Sequence, residues 1–190
     1  VGGYQLACDA TDADAVARLR RRKHRPDKPL AVMVADLEAA RSVAVVTEAE
    51  GVLLASLAAP IVLVRSRHAL ADGVAPGHAR VGLMLPASPL HHLLSRAAGR
   101  PLVLTSGNRS EEPIAVNDRD ALDRLADVAD AWLTHDRAIT TRFDDSVAAV
   151  RPGGSVVLRR ARGYAPSPVP LGARLGRAVL AVGGDLGNAF

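Results

Sequence analysis

The chain has 190 residues, 48% of them apolar, which allows one domain with a real core, or one domain with a fragment attached. A net charge of +4 favours acidic partners, and an aromatic content of 3% argues against a surface that stacks bases. The single cysteine, Cys8, excludes an intrachain disulfide and a cysteine-based zinc site in this chain. No secretory leader and no apolar run of membrane-spanning length is visible, so a cytoplasmic location is expected.

Val1-Gly2-Gly3-Tyr4 begins without a methionine, in what reads as mid-strand. Thr11 or Asp12 can cap a helix to about Lys23, and the stretch from Arg18 to Lys28 then gathers seven of the 24 cations. It holds the two lysines of the chain, Lys23 and Lys28. In a chain that otherwise uses arginine, this placement suggests compact ammonium charges set for a phosphate. Pro26 and Pro29 are expected to stop the helix there, making a rigid cationic turn before a buried strand at 30–35. The alternative is a solvated basic helix end. Lys23 and Arg25 are expected to be charged loop residues whose removal costs little stability.

Asp36 can cap a short helix, and Thr47-Glu-Ala-Glu50 has the form of a capping box. A strand follows at 61–64, a polar loop at 65–79 and a strand at 81–85. Ser88-Pro89 opens a helix to about 98, within which the adjacent His91 and His92 suit packing or capping better than metal binding. The strand 102–105 ends in Ser106-Gly-Asn-Arg-Ser110, where Gly107 could let a ligand approach and Ser106 and Asn108 could donate to an anion; an ordinary turn is the alternative. Asp118 should cap a helix to about 127, and 131–134 reads as a short strand before His135-Asp136-Arg137. Asp144 and Asp145 could hold Mg²⁺ with a nucleotide or orient nearby arginines. A hairpin is expected over 147–159, and the guanidiniums of Arg159, Arg160 and Arg162 could close over a polyphosphate or belong to a solvated basic linker, which runs over the surface to Ala173. Ala178 to Asn188 reads as a new strand and glycine turn, so the chain is expected to be a piece of a longer protein. Alternating strands and helices with a hairpin predict an α/β domain with a mixed sheet.

Each block is weak alone; their order is more specific. Gly2-Gly-Tyr-Gln-Leu-Ala-Cys-Asp-Ala-Thr11, Lys23-His-Arg-Pro-Asp-Lys-Pro29, Met84-Leu-Pro-Ala-Ser-Pro-Leu-His-His92, Thr105-Ser-Gly-Asn-Arg-Ser110, His135-Asp-Arg137, Asp144-Asp-Ser-Val147 and Arg159-Arg-Ala-Arg-Gly-Tyr-Ala-Pro166 together resemble the YrdC-like domain of the HypF carbamoyltransferases of [NiFe] hydrogenase maturation. The resemblance covers about residues 1–170, and 171–190 resemble a linker and the opening of the following ASKHA-like transfer domain.

The resemblance implies a YrdC-like twisted open sheet of mixed parallel and antiparallel strands, flanked by helices, with a basic concave ligand site. It implies ATP and Mg²⁺ as cofactors, and carbamoyl phosphate or carbamate as co-substrate. A HypE-like acceptor and further HypF domains are the implied partners. Lys23, Arg25 and Lys28 would grip phosphates, Ser106 the carbamate and Asn108 the nucleotide. Ser146 would line the substrate end, and Arg160 and Arg162 would close on the adenylate or pyrophosphate. Glu111 stands where relatives have glycine, and the Lys-Gly that usually precedes the first glycine pair is missing. The alternatives are threonylcarbamoyl-adenylate synthesis for transfer-RNA modification, an antibiotic O-carbamoyltransferase, a non-catalytic module binding RNA (the superfamily includes double-stranded RNA binding), and a scaffold domain.

Overall fold

The computed structural model describes residues 2–110, 112–170, 172 and 176–180; Glu111 and most of the tail read as a new domain lie outside them. Local capping sets the helices. Asp12 caps α1 (Ala13–Lys23) by accepting the N–H groups of Asp14 and Ala15. α1 ends at His24, in the left-handed region (φ 54°), where its N–H reaches back to Arg20 and Arg21. The helix thus stops before either proline is reached. α2 (Leu37–Val43) is capped by Asp36, and α3 (Glu48–Leu54) by the reciprocal Thr47–Glu50 box. α4 (Pro89–Ala98) starts at Ser88 and ends at Gly99. α5 (Asp118–Leu125) is capped by Asn117, one residue before the expected Asp118.

The strands are β1 (Gln5–Asp9), β2 (Ala31–Met33), β3 (Ala44–Val45), β4 (Ile61–Ser66), β5 (Arg80–Met84), β6 (Leu102–Ser106), β7 (Val147–Arg151) and β8 (Gly154–Arg159). They form one mixed sheet in the order β1-β6-β2-β5-β4-β7-β8, with β3 on β4. β2–β5 and β4–β7 are parallel, and the other pairs are antiparallel. No strand forms at 131–134. Trp132 packs its side chain against the core there, and Arg22 holds the preceding Val128 carbonyl and Asp130, so side chains and not a backbone ladder fix the segment.

The two faces of the sheet differ. Val16 and Leu19 of α1, Leu54 of α3 and Leu125 of α5 pack on Val32, Val64, Leu83 and Val103 to make the main core. On the other face, Met33, Met84, Leu102 and Leu104 are covered by Leu94 and Ala98 of α4. Part of that face stays open. Residues 143–146 run from β1 across to β4: the Phe143 N–H donates to the Gly2 carbonyl (3.1 Å), Gln5 Nε2 to Asp145 (3.4 Å) and the Ile61 N–H to the Ser146 carbonyl (2.8 Å). A concave cleft results between this crossing segment and the sheet.

The segment expected to be a surface linker is fastened down over its first part. The Gly163 backbone presses on Ala58, leaving no room for a Cβ, and Arg162 donates to the Ala59 carbonyl (3.0 Å).

Arg20 organises the cationic turn. Its buried guanidinium donates to the carbonyls of Gly73 (2.6 Å), Arg25 (2.8 Å), Pro26 (2.9 Å) and Lys28 (3.2 Å). A planar fork thus satisfies several turn carbonyls at once, with Arg25 Nε a second donor to that of Lys28 (3.5 Å). Arg20→Met should lower stability by about 2–4 kcal/mol in chemical denaturation, because it strands several acceptors at once. Loss within about 0.5 kcal/mol would show that water replaces the fork.

Candidate active site

The open face holds a cleft of about 250 Å³. Its floor is the sheet, at Ala31, Gly82 and Leu104, and its rim carries Arg25, Ser106, Phe143, Asp144, Asp145 and Arg159. Gly82 keeps the floor low: a Cβ there would meet Ile61 Cγ2 at 2.8 Å.

Lys23 sits under the rim and not in it. It is 1% exposed, and its ammonium donates to the Ser106 carbonyl (2.6 Å), the Asn108 carbonyl (2.5 Å) and Asn108 Oδ1 (2.8 Å). Three convergent oxygens match the three protons of an ammonium, which gives a reason for lysine at this position. Burial first, and Arg25 second, pull its pKa down to about 8, with Glu112 opposing. The Asn108 amide donates in turn to the Glu112 carbonyl (2.5 Å), and the Ser106 hydroxyl donates to Asn108 Oδ1 (2.6 Å). The Ser106–Asn108 loop is therefore a polar cluster closed around Lys23. Gly107 serves close packing on the protein's own backbone, since a Cβ would lie 2.7 Å from the Tyr4 oxygen. Its expected part in ligand approach is replaced by that contact.

Arg25 faces the cleft and donates to the Pro29 carbonyl (2.8 Å). Burial, Arg20 and Arg159 depress its pKa, in that order. Arg159 is the cleft arginine of the C-terminal block; it donates to the Asp145 carbonyl (2.8 Å). Arg160 is turned to the Tyr164 and Ser167 carbonyls, and Arg162 pairs with Asp145 (2.9 Å). Neither Arg160 nor Arg162 lines the cleft. Ser146 is fully buried: it donates to the Arg162 carbonyl (2.8 Å) and accepts the Ala161 N–H (2.7 Å), so it ties down the strap instead of lining a substrate pocket. Lys28 is exposed on the turn, outside the cleft lining.

The two aspartates divide. Asp145 is committed to Arg162 and Gln5, while Asp144 stays exposed on the rim. Among the described residues no three His, Cys, Asp or Glu side chains come together to hold a metal. Asp145 thus orients an arginine, one of the two roles expected of the pair, and Asp144 is left on the rim. His91 is buried in α4, as its packing role requires: Nε2 faces Gln5 Oε1 (2.9 Å) and Nδ1 accepts the Ala87 N–H (3.4 Å). These bonds fit the neutral ring with its proton on Nε2, and burial pulls its pKa down to about 4.

Residues 1–161 match the Sua5/YciO/YrdC family, which carries the description "Telomere recombination". The chain belongs to the Sua5/YciO/YrdC family. It is 50% identical to carbamoyltransferase HypF of Rhodobacter capsulatus, over 100% of this chain and 26% of that protein. It is 48% identical to carbamoyltransferase HypF of Synechocystis sp., over 99% of this chain and 25% of that protein. Full-length HypF in its phosphate- and nucleotide-bound form superposes with a TM-score of 0.85 at 46% identity, over 87% of this chain and 22% of that one. The chain thus spans about a quarter of the curated relatives it matches. Among the described residues no helix is long and apolar enough to cross a membrane.

Of the three arginines expected to close over a polyphosphate, Arg159 alone lines the cleft, whereas Gln5 and Phe143 were not anticipated there. Gln5 and Phe143 meet the site through chain crossing, for which no local pattern exists.

Contrary to the expectation for a loop cation, Lys23→Ala should destabilise the fold by about 1–3 kcal/mol through its stranded acceptors, read as a lower denaturation midpoint. For His91 the folded pKa of about 4 lies below the ordinary value of 6.5, so the unfolded chain binds more protons between the two. The stability tied to His91 is complete above pH 6.5 and is lost as pH falls towards 4, by about 3 kcal/mol in all. Denaturation midpoints measured across that window should fall less steeply for His91→Gln; equal slopes would contradict the assignment.

Proposed function

We propose that this chain forms carbamoyl-adenylate from ATP and carbamate, with release of pyrophosphate, as part of a HypF-type carbamoyltransferase. The observation that carries this reading is the match to nucleotide- and phosphate-bound HypF together with a cleft edged by two arginines. Carbamate would derive from carbamoyl phosphate. In the whole protein the adenylate would pass to a transfer domain and carbamoylate the C-terminal cysteine of a HypE-like acceptor, which supplies the cyanide ligands of [NiFe] hydrogenase.

The step is a displacement at the α-phosphorus. A carbamate oxygen forms a bond to phosphorus, the bond to the bridging oxygen breaks, and pyrophosphate leaves with that electron pair. Such a reaction needs two anions held close and charge relieved at phosphorus, with no covalent enzyme intermediate. Arg25 and Arg159 are suited to the phosphates because each is held by carbonyl oxygens, which orient a guanidinium without cancelling its charge. The Ser106 hydroxyl, on the rim, is suited to the carbamate end. Lys23 and Asn108 would act by fixing the loop that carries Ser106, and Lys28 would add charge at the outer turn. Ser146, Arg160 and Arg162 would act by holding the strap that ends β8. Asp144 and Asp145, both in the lining, would be the carboxylates to hold a Mg²⁺ carried by ATP, which would relieve phosphate charge.

The test is ATP–pyrophosphate exchange, run on this chain and on a full-length protein that carries it. Exchange that needs carbamoyl phosphate is expected. Exchange that needs bicarbonate and L-threonine would move the chain to threonylcarbamoyl-adenylate synthesis, and no exchange under either condition would leave a binding or scaffold role. Arg25→Ala and Arg159→Ala should each weaken ATP binding by about tenfold or more, as expected for a lost bond to a charged group. Their stability should change by less than about 0.5 kcal/mol.

A further inference from the structure

Phe143 has no role in the chemistry above, yet it stands on the rim of the cleft with a 39% exposed apolar ring. The chain has two phenylalanines, two tyrosines and one tryptophan, and the cleft lining takes one phenylalanine and one tyrosine from this small set. Tyr4 is tethered by its hydroxyl to Asp118. The Phe143 ring has no polar group and its backbone is fixed. Its N–H donates to the Gly2 carbonyl (3.1 Å), and Gly2, at φ 78°, lies so close that a Cβ would stand 2.6 Å from the Phe143 oxygen. Gly3 and Ile114, also in the lining, pack against one another, since a Cβ on Gly3 would overlap Ile114 Cγ2, and Ile114 adds an apolar wall. An uncharged aromatic side chain on a tethered backbone at the edge of a cleft is suited to a planar heteroaromatic ring, and the tether lowers the ordering entropy that stacking costs. The same lining carries Arg25 and Arg159, whose charges suit phosphates.

We infer that Phe143 is the stacking platform for the base of the bound nucleotide, so that one cleft reads base and phosphates with separate groups. This rests on the nucleotide reading given above. The low aromatic content argues against an extended stacking surface, but a single nucleotide needs one ring only, in one place.

The test separates base from phosphate. Binding of ATP and of inorganic tripolyphosphate would be measured calorimetrically for the wild type, Phe143→Ala, Phe143→Leu and Phe143→Trp, with thermal melts confirming that each is folded. Expected is an approximately tenfold loss of ATP affinity in Phe143→Ala and Phe143→Leu, unchanged tripolyphosphate affinity, and ATP binding retained in Phe143→Trp. Equal losses for both ligands would make Phe143 a structural residue, and unchanged ATP binding would remove it from the site; either overturns the inference. A wild type that binds tripolyphosphate but not ATP overturns it too. A wild type that binds neither sinks the nucleotide reading itself, a pattern distinct from those three.

Discussion

A buried ammonium is stable only if its protons all find acceptors, and that requirement at Lys23 shapes the region on which the cleft is built. Its three partners are oxygens of Ser106 and Asn108, so α1 and the end of β6 are locked to one another through a single atom. Gly107 can then lie against Tyr4, which fixes β1 beside β6. Three residues further back along α1, Arg20 does the same for the turn 25–28 with a fork in place of a point. The basic segment thus contains two inward-facing cations that hold the rim together and an outward one, Arg25, that uses it.

That division could not be read from the sequence, although the segment itself could. Lys23 and Arg25 are two residues apart and both cationic, and a linear reading treats them alike. What separates them is His24, whose left-handed backbone ends the helix and reverses the chain, leaving Lys23 buried and Arg25 at the cleft. The prolines looked like the stop signal because their effect on a helix is local and known. A left-handed histidine carries no such mark. The helix starts were legible for the opposite reason: Asp36, Thr47 with Glu50, and Ser88 with Pro89 act within four residues of chain.

The same contrast holds for the site. The cationic, Ser-Gly-Asn and Asp-Asp blocks were recognisable as blocks, but most of their side chains turn out to bind the protein. Asn108 holds Lys23 and Glu112, Ser146 holds the strap, and Arg162 neutralises Asp145. Donor and acceptor chemistry is equally fit for a ligand or for a backbone carbonyl, so residue type alone leaves the choice open. Burial decides it, and burial depends on the crossing of residues 143–146 over the sheet.

The distribution of carboxylates leaves the two cleft arginines, among the described residues, without a carboxylate partner. Arg22 is paired with Asp130, Arg109 with Asp127, Arg124 with Glu112 and Asp120, and Arg162 with Asp145. Arg25 and Arg159 instead meet the carbonyls of Pro29 and Asp145. A carbonyl takes up the hydrogen-bonding capacity that would let the side chain wander and leaves its full charge in place. Two such guanidiniums near one another repel, and the depressed pKa of Arg25, set first by burial and in part by Arg159, carries the trace of that repulsion. Asp144 on the same rim offsets one charge at most. An anion entering the cleft would therefore relieve a repulsion already present, and the gain is larger for a polyphosphate than for a single carboxylate because it spans both arginines at once.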